Sequence, residues 1–180
     1  MISQVAIRYA QALFELAEEE NQTSEIYSEI VDLNEVISSN KSLYDVLRSP
    51  FIGRDEKKKV VYELFADKVQ KNTKNFLMVL VDNDRTTQLS SIVQSYKQFM
   101  NNKFNIAEGK VYTAIPLSRE QISELEKKLS AKYNKNVQLV NEIDKDILGG
   151  VLVRIGNEEI DGTVKSRLDD LSEKLSQVIS

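Results

Sequence analysis

The chain has 180 residues, 41% of them hydrophobic and 29% charged, and a formal net charge of −4. That composition fits one folded domain or two small ones, and the negative balance gives no global attraction to a phosphate backbone. With no Cys and no His, a disulfide framework, a thiol nucleophile and a thiolate metal site are excluded, and the commonest general base and transition-metal ligand are missing. Residues 1–10, MISQVAIRYA, lack a charged segment followed by an apolar signal core, and Glu15, Glu18, Glu19 and Glu20 do not fit a transit peptide. No apolar run approaches the ~20 residues of a membrane helix; the longest is Phe76–Val81. No direct membrane insertion is expected.

From Ile2 to about Phe104 the apolar period is helical throughout. The pattern predicts helices at 3–20, at 23–39 (Ile26, Ile30, Leu33, Ile37) and at 41–48 (Leu43, Leu47), the last stopped by Ser49-Pro50. A fourth is expected from Arg54 to Val69 and a fifth at 73–82, ended by Asp82-Asn83-Asp84. The sixth, at 86–104, carries Leu89, Ile92, Val93, Tyr96, Phe99 and Met100. Beyond Asn105 and Gly109 the period changes: Val111, Thr113 and Ile115 alternate as on a strand that Pro116 ends. Ser118 and Gln121 fit a capping box opening a helix that buries Ile122, Leu125, Leu129 and Tyr133. Val137 and Leu139 begin another strand.

A compact unit follows over Asp144–Arg167. Gly149-Gly150 allows backbone conformations that other residues resist, and Gly156-Asn157 suits a two-residue hairpin turn. In the Asp161-Gly162-Thr163 turn, Asp161 or Thr163 caps a last helix with Val164, Leu168, Leu171, Leu175 and Val178 at 4-3-4-3 spacing. The expected fold is therefore mainly α: a six-helix bundle over residues 1–105, then a small β/α domain over 106–180.

No constellation points to catalysis. Gly149-Gly150 lacks the Lys-Ser/Thr of a phosphate-binding loop, and Gly156 to Gly162 does not match a dinucleotide turn. Asp144 and Asp146 alone are too few oxygen ligands for a cation and read as a solvated turn. Lys57-Lys58-Lys59 reads as a solvated helix face. No metal and no cofactor are expected. The informative surfaces are two helices with more apolar residues than one core contact requires. On the first, Ile2, Val5, Tyr9, Ala12, Leu13 and their neighbours cover roughly 220° where a stripe of ~100° suffices. On the fifth, Phe76, Val79, Leu80 and Asn83 share one side at i, i+3, i+4 and i+7. Taken alone, periodicity favours core for both.

The residues resemble a known family. Arg8-Tyr9-Ala10-x-Ala12-Leu13, Ser49-Pro50-Phe51, Asn75-Phe76-Leu77, Asp82-Asn83-x-Arg85 and Pro116-Leu117-Ser118 occur in the order found in the delta subunit of bacterial F-type ATP synthase. Its mitochondrial counterpart is the oligomycin-sensitivity-conferring protein. Most specific is Asp144-x-x-Ile147-Leu148-Gly149-Gly150 running through Ile155-Gly156 to Ile160-Asp161-Gly162-Thr163-Val164. The chain departs in having Asn157 and Thr163 where the family commonly has Asp and Ser, and both substitutes suit a turn and a cap.

The resemblance implies a non-catalytic stator subunit, one copy per complex, linking the catalytic head to the peripheral stalk. The N-terminal segment of an alpha subunit would lie in a groove between the first and fifth helices, against Val5, Tyr9, Ala12, Leu13, Phe76, Val79, Leu80 and Asn83. The C-terminal domain would bind the C-terminal ends of the b-subunit dimer. Without a transit segment, the implied place is the cytoplasmic face of a bacterial plasma membrane. Two rivals remain: an RNA-binding adaptor, disfavoured by the acidic balance and the absence of interleaved aromatic and basic residues, and a hydrolase or transferase working through Asp, Glu and Lys.

Overall fold

The computed structural model describes residues 3–65 and 68–179, with side chains through Ser172. Ile2 lies outside the described residues, as do the side chains of Leu175 and Val178. The chain is mainly helical with a small four-stranded sheet, and it divides into two compact units, Met1–Met100 and Asn101–Ser180.

Helices α1 (Gln4–Glu19), α2 (Thr23–Ser39), α3 (Lys41–Arg48), α4 (Arg54–Phe65), α5 (Lys71–Asp82) and α6 (Leu89–Lys103) precede the first strand, with a 3-10 turn at Thr86–Gln88. Their inward stripes form one apolar core. Ala6, Ala10 and Ala17 of α1 are fully buried, and such small side chains let neighbouring helices approach closely. Leu13, Ile26, Ile30, Leu77, Leu80, Ile92 and Tyr96 fill the centre. With few glycines available, asparagine and aspartate supply the left-handed residues that end helices. Asn21 follows α1 at φ 56°, Asp84 follows α5 at φ 53°, and Asn105 follows α6 at φ 53°. Their short polar side chains make them the usual non-glycine occupants of that region.

Several boundaries differ from expectation. The described part of α4 ends at Phe65, whose carbonyl accepts the Lys68 N–H in a turn, so Val69 is not helical. The sixth helix begins as a 3-10 turn, and α5 begins two residues early. The reason for the early start lies 41 residues away. Gln70, the N-cap of α5, makes no side-chain cap, but Glu29 on α2 accepts its N–H at 3.0 Å and the hydroxyl of fully buried Thr73. A carboxylate at a helix N-terminus also complements the helix dipole. Glu29→Ala is expected to lower stability by about 2 kcal/mol, because two donors lose a charged acceptor and the Thr73 hydroxyl is buried. Urea unfolding followed by circular dichroism checks this; a loss under about 0.5 kcal/mol would count against the cap.

Lys57 corrects the reading of Lys57-Lys58-Lys59 as a solvated face. Lys57 is only 3% exposed, with its Nζ 3.5 Å from Asp84, and Lys58 pairs with Asp82. A buried ammonium needs such a partner. Lys57 and Lys58 pair with the end of α5, which periodicity on α4 alone does not reveal, and Lys59 is exposed.

In the second unit, β1 (Ile106–Thr113), α7 (Arg119–Tyr133), β2 (Asn136–Ile143), β3 (Gly150–Ile155) and β4 (Glu158–Thr163) lead to α8 (Val164–Ile179). The sheet order is β2-β1-β3-β4; β1 and β2 run parallel, and the other two pairings are antiparallel. Val111, Val137, Leu139 and Val153 form the core with Leu129 of α7, while Ile122, Leu125 and Tyr133 are only half-buried at its edge. The Ser118–Gln121 capping box is present. Ile115 does not belong to β1 and is 72% exposed. The Thr113 hydroxyl donates to the Ile115 carbonyl at 2.8 Å and Asn141 Oδ1 accepts the Leu117 N–H at 2.8 Å, which turns the chain off the sheet.

Glycine at 150 is required by approach, and position 149 is merely tight. Gly150 has φ +83°, and a Cβ there would lie 2.4 Å from the Gly162 carbonyl oxygen; one on Gly149 would lie 3.2 Å from Val164. Gly156, at φ 57°, is the first residue of the two-residue loop between β3 and β4. The choice between caps resolves as a relay. Asp161 accepts the Thr163 N–H at 2.8 Å, which holds its carboxyl below the usual range, and Thr163 Oγ1 accepts the Ser166 N–H as the cap of α8. On α8, Val164, Leu168 and Leu171 are 44%, 57% and 56% exposed, an apolar row with no cover among the described residues.

Candidate docking groove

Helix α1 opens at Ser3, whose hydroxyl accepts the Ala6 N–H at 3.1 Å. With Ala6, Ala10, Ala17 and Leu13 turned inward, the residues one step around the helix form a second face: Val5 and Tyr9 half-buried, Ala12 exposed. Helix α5 does the same. Thr73, Leu77, Leu80 and Val81 point into the core, while Phe76 is half-buried, Val79 is 46% exposed and Asn83 is exposed. The helices meet through Tyr9 and Phe76, packed edge to face with ring centroids 6.4 Å apart at 69°. Asn83 closes the end of α5, its Nδ2 donating to the Val79 carbonyl at 2.8 Å.

Between α1 and the turn that follows α5 lies a groove of about 410 Å³ lined by Val5, Arg8, Tyr9, Ala12, Asn83 and Arg85. Four of the eight expected contact residues therefore share one concavity. Phe76 backs it through Tyr9, and Val79 is exposed one turn before Asn83. Leu13 and Leu80 do not belong to it: at 2% and 0% exposure they are core, because the 3.6-residue period rotates them inward from Tyr9 and Val79.

The residues that sequence reasoning passed over are Arg8 and Arg85. Both stood in the quoted motifs, and Arg8 lies between Val5 and Ala12 at i+3 and i−4, the spacing that puts all three on one face. The acids nearest Arg85 in sequence are engaged elsewhere. Asp82 pairs with Lys58, and Asp84 accepts Arg54 at 2.9 Å, which holds its carboxyl below the usual carboxylate range. Among the described residues no group of three or more acids is placed to hold a metal, and no helix is long and apolar enough to cross a membrane. The geometry suits binding: an apolar floor with an amide and two guanidiniums at its margin.

Residues 5–175 match the family described as ATP synthase delta (OSCP) subunit. The chain belongs to that family. It is 52% identical to the ATP synthase subunit delta of Clostridioides difficile over the full length of both chains, and 37% identical to that of Alkaliphilus oremlandii over 99% of each. Among solved structures, a chain of the Toxoplasma gondii mitochondrial ATP synthase hexamer is similar at 25% identity and a TM-score of 0.67, covering 96% of this chain and 98% of that one. A chain of the Polytomella F-ATP synthase shares the fold over 56% of this chain and 89% of that one, at 21% identity and a TM-score of 0.52. None of these delta-family matches supports the RNA-binding adaptor.

Proposed function

We propose that this chain is the non-catalytic stator subunit that joins the catalytic head of an F-type ATP synthase to its peripheral stalk. In this reading residues 1–105 act as a six-helix bundle whose α1–α5 groove takes the N-terminal segment of one alpha subunit. Residues 106–180 take the C-terminal ends of the b-subunit dimer, and the uncovered row Val164, Leu168 and Leu171 on α8 is suited to a helical partner. One copy per complex resists rotor torque during proton-driven synthesis. It lies at the cytoplasmic face of a bacterial plasma membrane, held there through the complex.

The observation that carries this reading is the groove itself: α1 turns Val5, Tyr9 and Ala12 to an open concavity instead of the core, and Asn83 and Arg85 at the end of α5 close its other side. Each 100 Å² of apolar surface that an occupant covers contributes about 2.5 kcal/mol before the costs of association. The test is calorimetric titration of the full chain with the alpha subunit's N-terminal segment as a synthetic peptide. One-to-one binding with a negative heat-capacity change is expected, weakened about a hundredfold or more by Tyr9→Asp, which puts a carboxylate on the groove floor. A folded chain that does not bind the peptide would overturn the reading.

A further inference from the structure

We infer that the α1–α5 groove selects its occupant by a carboxylate as well as by an apolar stripe, and that Arg8 and Arg85 are the residues that read it. This rests on the proposal that the groove takes a helical segment of the alpha subunit, and it specifies what that segment carries: an Asp or Glu at the margin of its apolar face.

The argument is electrostatic. Arg8 and Arg85 line the groove together with Val5, Tyr9 and Ala12. Neither guanidinium pairs with a carboxylate among the described residues. The arrangement of the nearby acids makes this more than a general surplus of charge. Asp82 and Asp84 both lie within three residues before Arg85, and both are turned to the α4 side, where Lys58, Arg54 and Lys57 hold them. The end of α5 is thus divided, with its acids neutralised on one side and its arginine left on the groove side. The chain as a whole carries a net charge of −4, so a margin with two uncompensated cations is a local departure from the average.

In the open groove both guanidiniums keep their water. An occupant lying on the Tyr9 floor removes part of that water, and a purely apolar segment leaves two cations partly desolvated without a partner, at a cost to binding. A carboxylate placed between them removes that cost. The planar guanidinium fork matches a carboxylate in two-point geometry, and a charge-assisted hydrogen bond is roughly twice as strong as a neutral one. The apolar floor supplies affinity, and the arginines supply register and selectivity along a helix that could otherwise slide.

The experiment titrates the full chain with two synthetic peptides: the alpha subunit's N-terminal segment, and the same segment with every Asp and Glu changed to Asn and Gln. The amide peptide is expected to bind about tenfold more weakly or worse. Arg8→Gln/Arg85→Gln is expected to weaken the acidic peptide by a similar factor while leaving the amide peptide nearly unchanged, so the preference collapses. Both arginines are exposed, and thermal melts of the variant are expected to match the parent. Raising the ionic strength should shrink the preference in the parent and not in the double variant. If both chains bind both peptides equally while Tyr9→Asp still abolishes binding, the carboxylate inference is overturned and the groove reading stands. If the parent binds neither peptide, the groove reading fails and takes the inference with it.

Discussion

Tyr96→Ala is expected to destabilise the N-terminal unit by about 4 kcal/mol, the range for truncating a large aromatic in a packed core. Tyr96 is fully buried. Its ring meets Phe14 edge-on at 5.4 Å and stacks on Tyr27 at 6.0 Å, and Phe14 in turn packs on Phe99 at 5.8 Å. Removing it opens a cavity at the meeting point of α1, α2 and α6. The phenol also donates to the Thr23 carbonyl at 3.1 Å, at the first turn of α2. Burial, with Glu18 and Glu25 adding to it, pushes the phenol pKa up, so that donor keeps its proton well into the alkaline range. Tyr96→Phe keeps the ring and removes only the hydroxyl, at about 1 kcal/mol. Urea unfolding read by amide resonances of each unit separates the cases. Equal losses for the two variants would mean that the hydrogen bond, and not the aromatic packing, carries the residue's contribution.

The second large effect is expected at Gly150. Gly150→Ala should cost about 3 kcal/mol or more, through the positive φ and through a backbone clash that no side-chain rotation relieves. The added Cβ would lie 2.4 Å from the Gly162 carbonyl oxygen and 2.8 Å from the Thr163 Cα. Gly150 pairs with Thr163 in the β3–β4 ladder, and Thr163 is the residue that caps α8. The damage is therefore expected to include the start of α8 and to spare the helices of the N-terminal unit. Amide exchange on the variant checks this, and unchanged protection through β4 and the first turn of α8 would refute it.

What was legible in the sequence follows from how far each cause reaches along the chain. Ser118 and Gln121 declare their helix because both partners lie within four residues, and Pro50 stops α3 by its own ring. The start of β1 was misread because Gly109 looked like a breaker. It lies inside the strand because the Ile155 side chain and the Arg154 carbonyl of β3 leave room for nothing larger, 2.7 and 2.8 Å from where a Cβ would be. The start of α5 and the burial of Lys57 were hidden for the same reason: their partners, Glu29 and Asp84, are 41 and 27 residues away. The groove shows the limit from another side. Periodicity marked the helices with excess apolar surface but did not separate Tyr9 and Val79 from Leu13 and Leu80, whose burial depends on where the other helices pack. Arg8 and Arg85 were visible as residues, but nothing local marked them as lacking a carboxylate partner among the described residues.

The anchoring of α5 has a mechanical consequence. At its start it is held from α2 by Glu29, through Gln70 and Thr73, and at its end from α4, by Lys58 on Asp82 and by Arg54 and Lys57 on Asp84. The two attachments are separated by 12 residues, about 18 Å of helix. A rod fixed at one end pivots under a sideways load; a rod fixed at both ends must bend or break an attachment. A sideways force on α5 is thereby divided between two neighbouring helices, and the end of α5 that borders the groove is braced instead of free to swing.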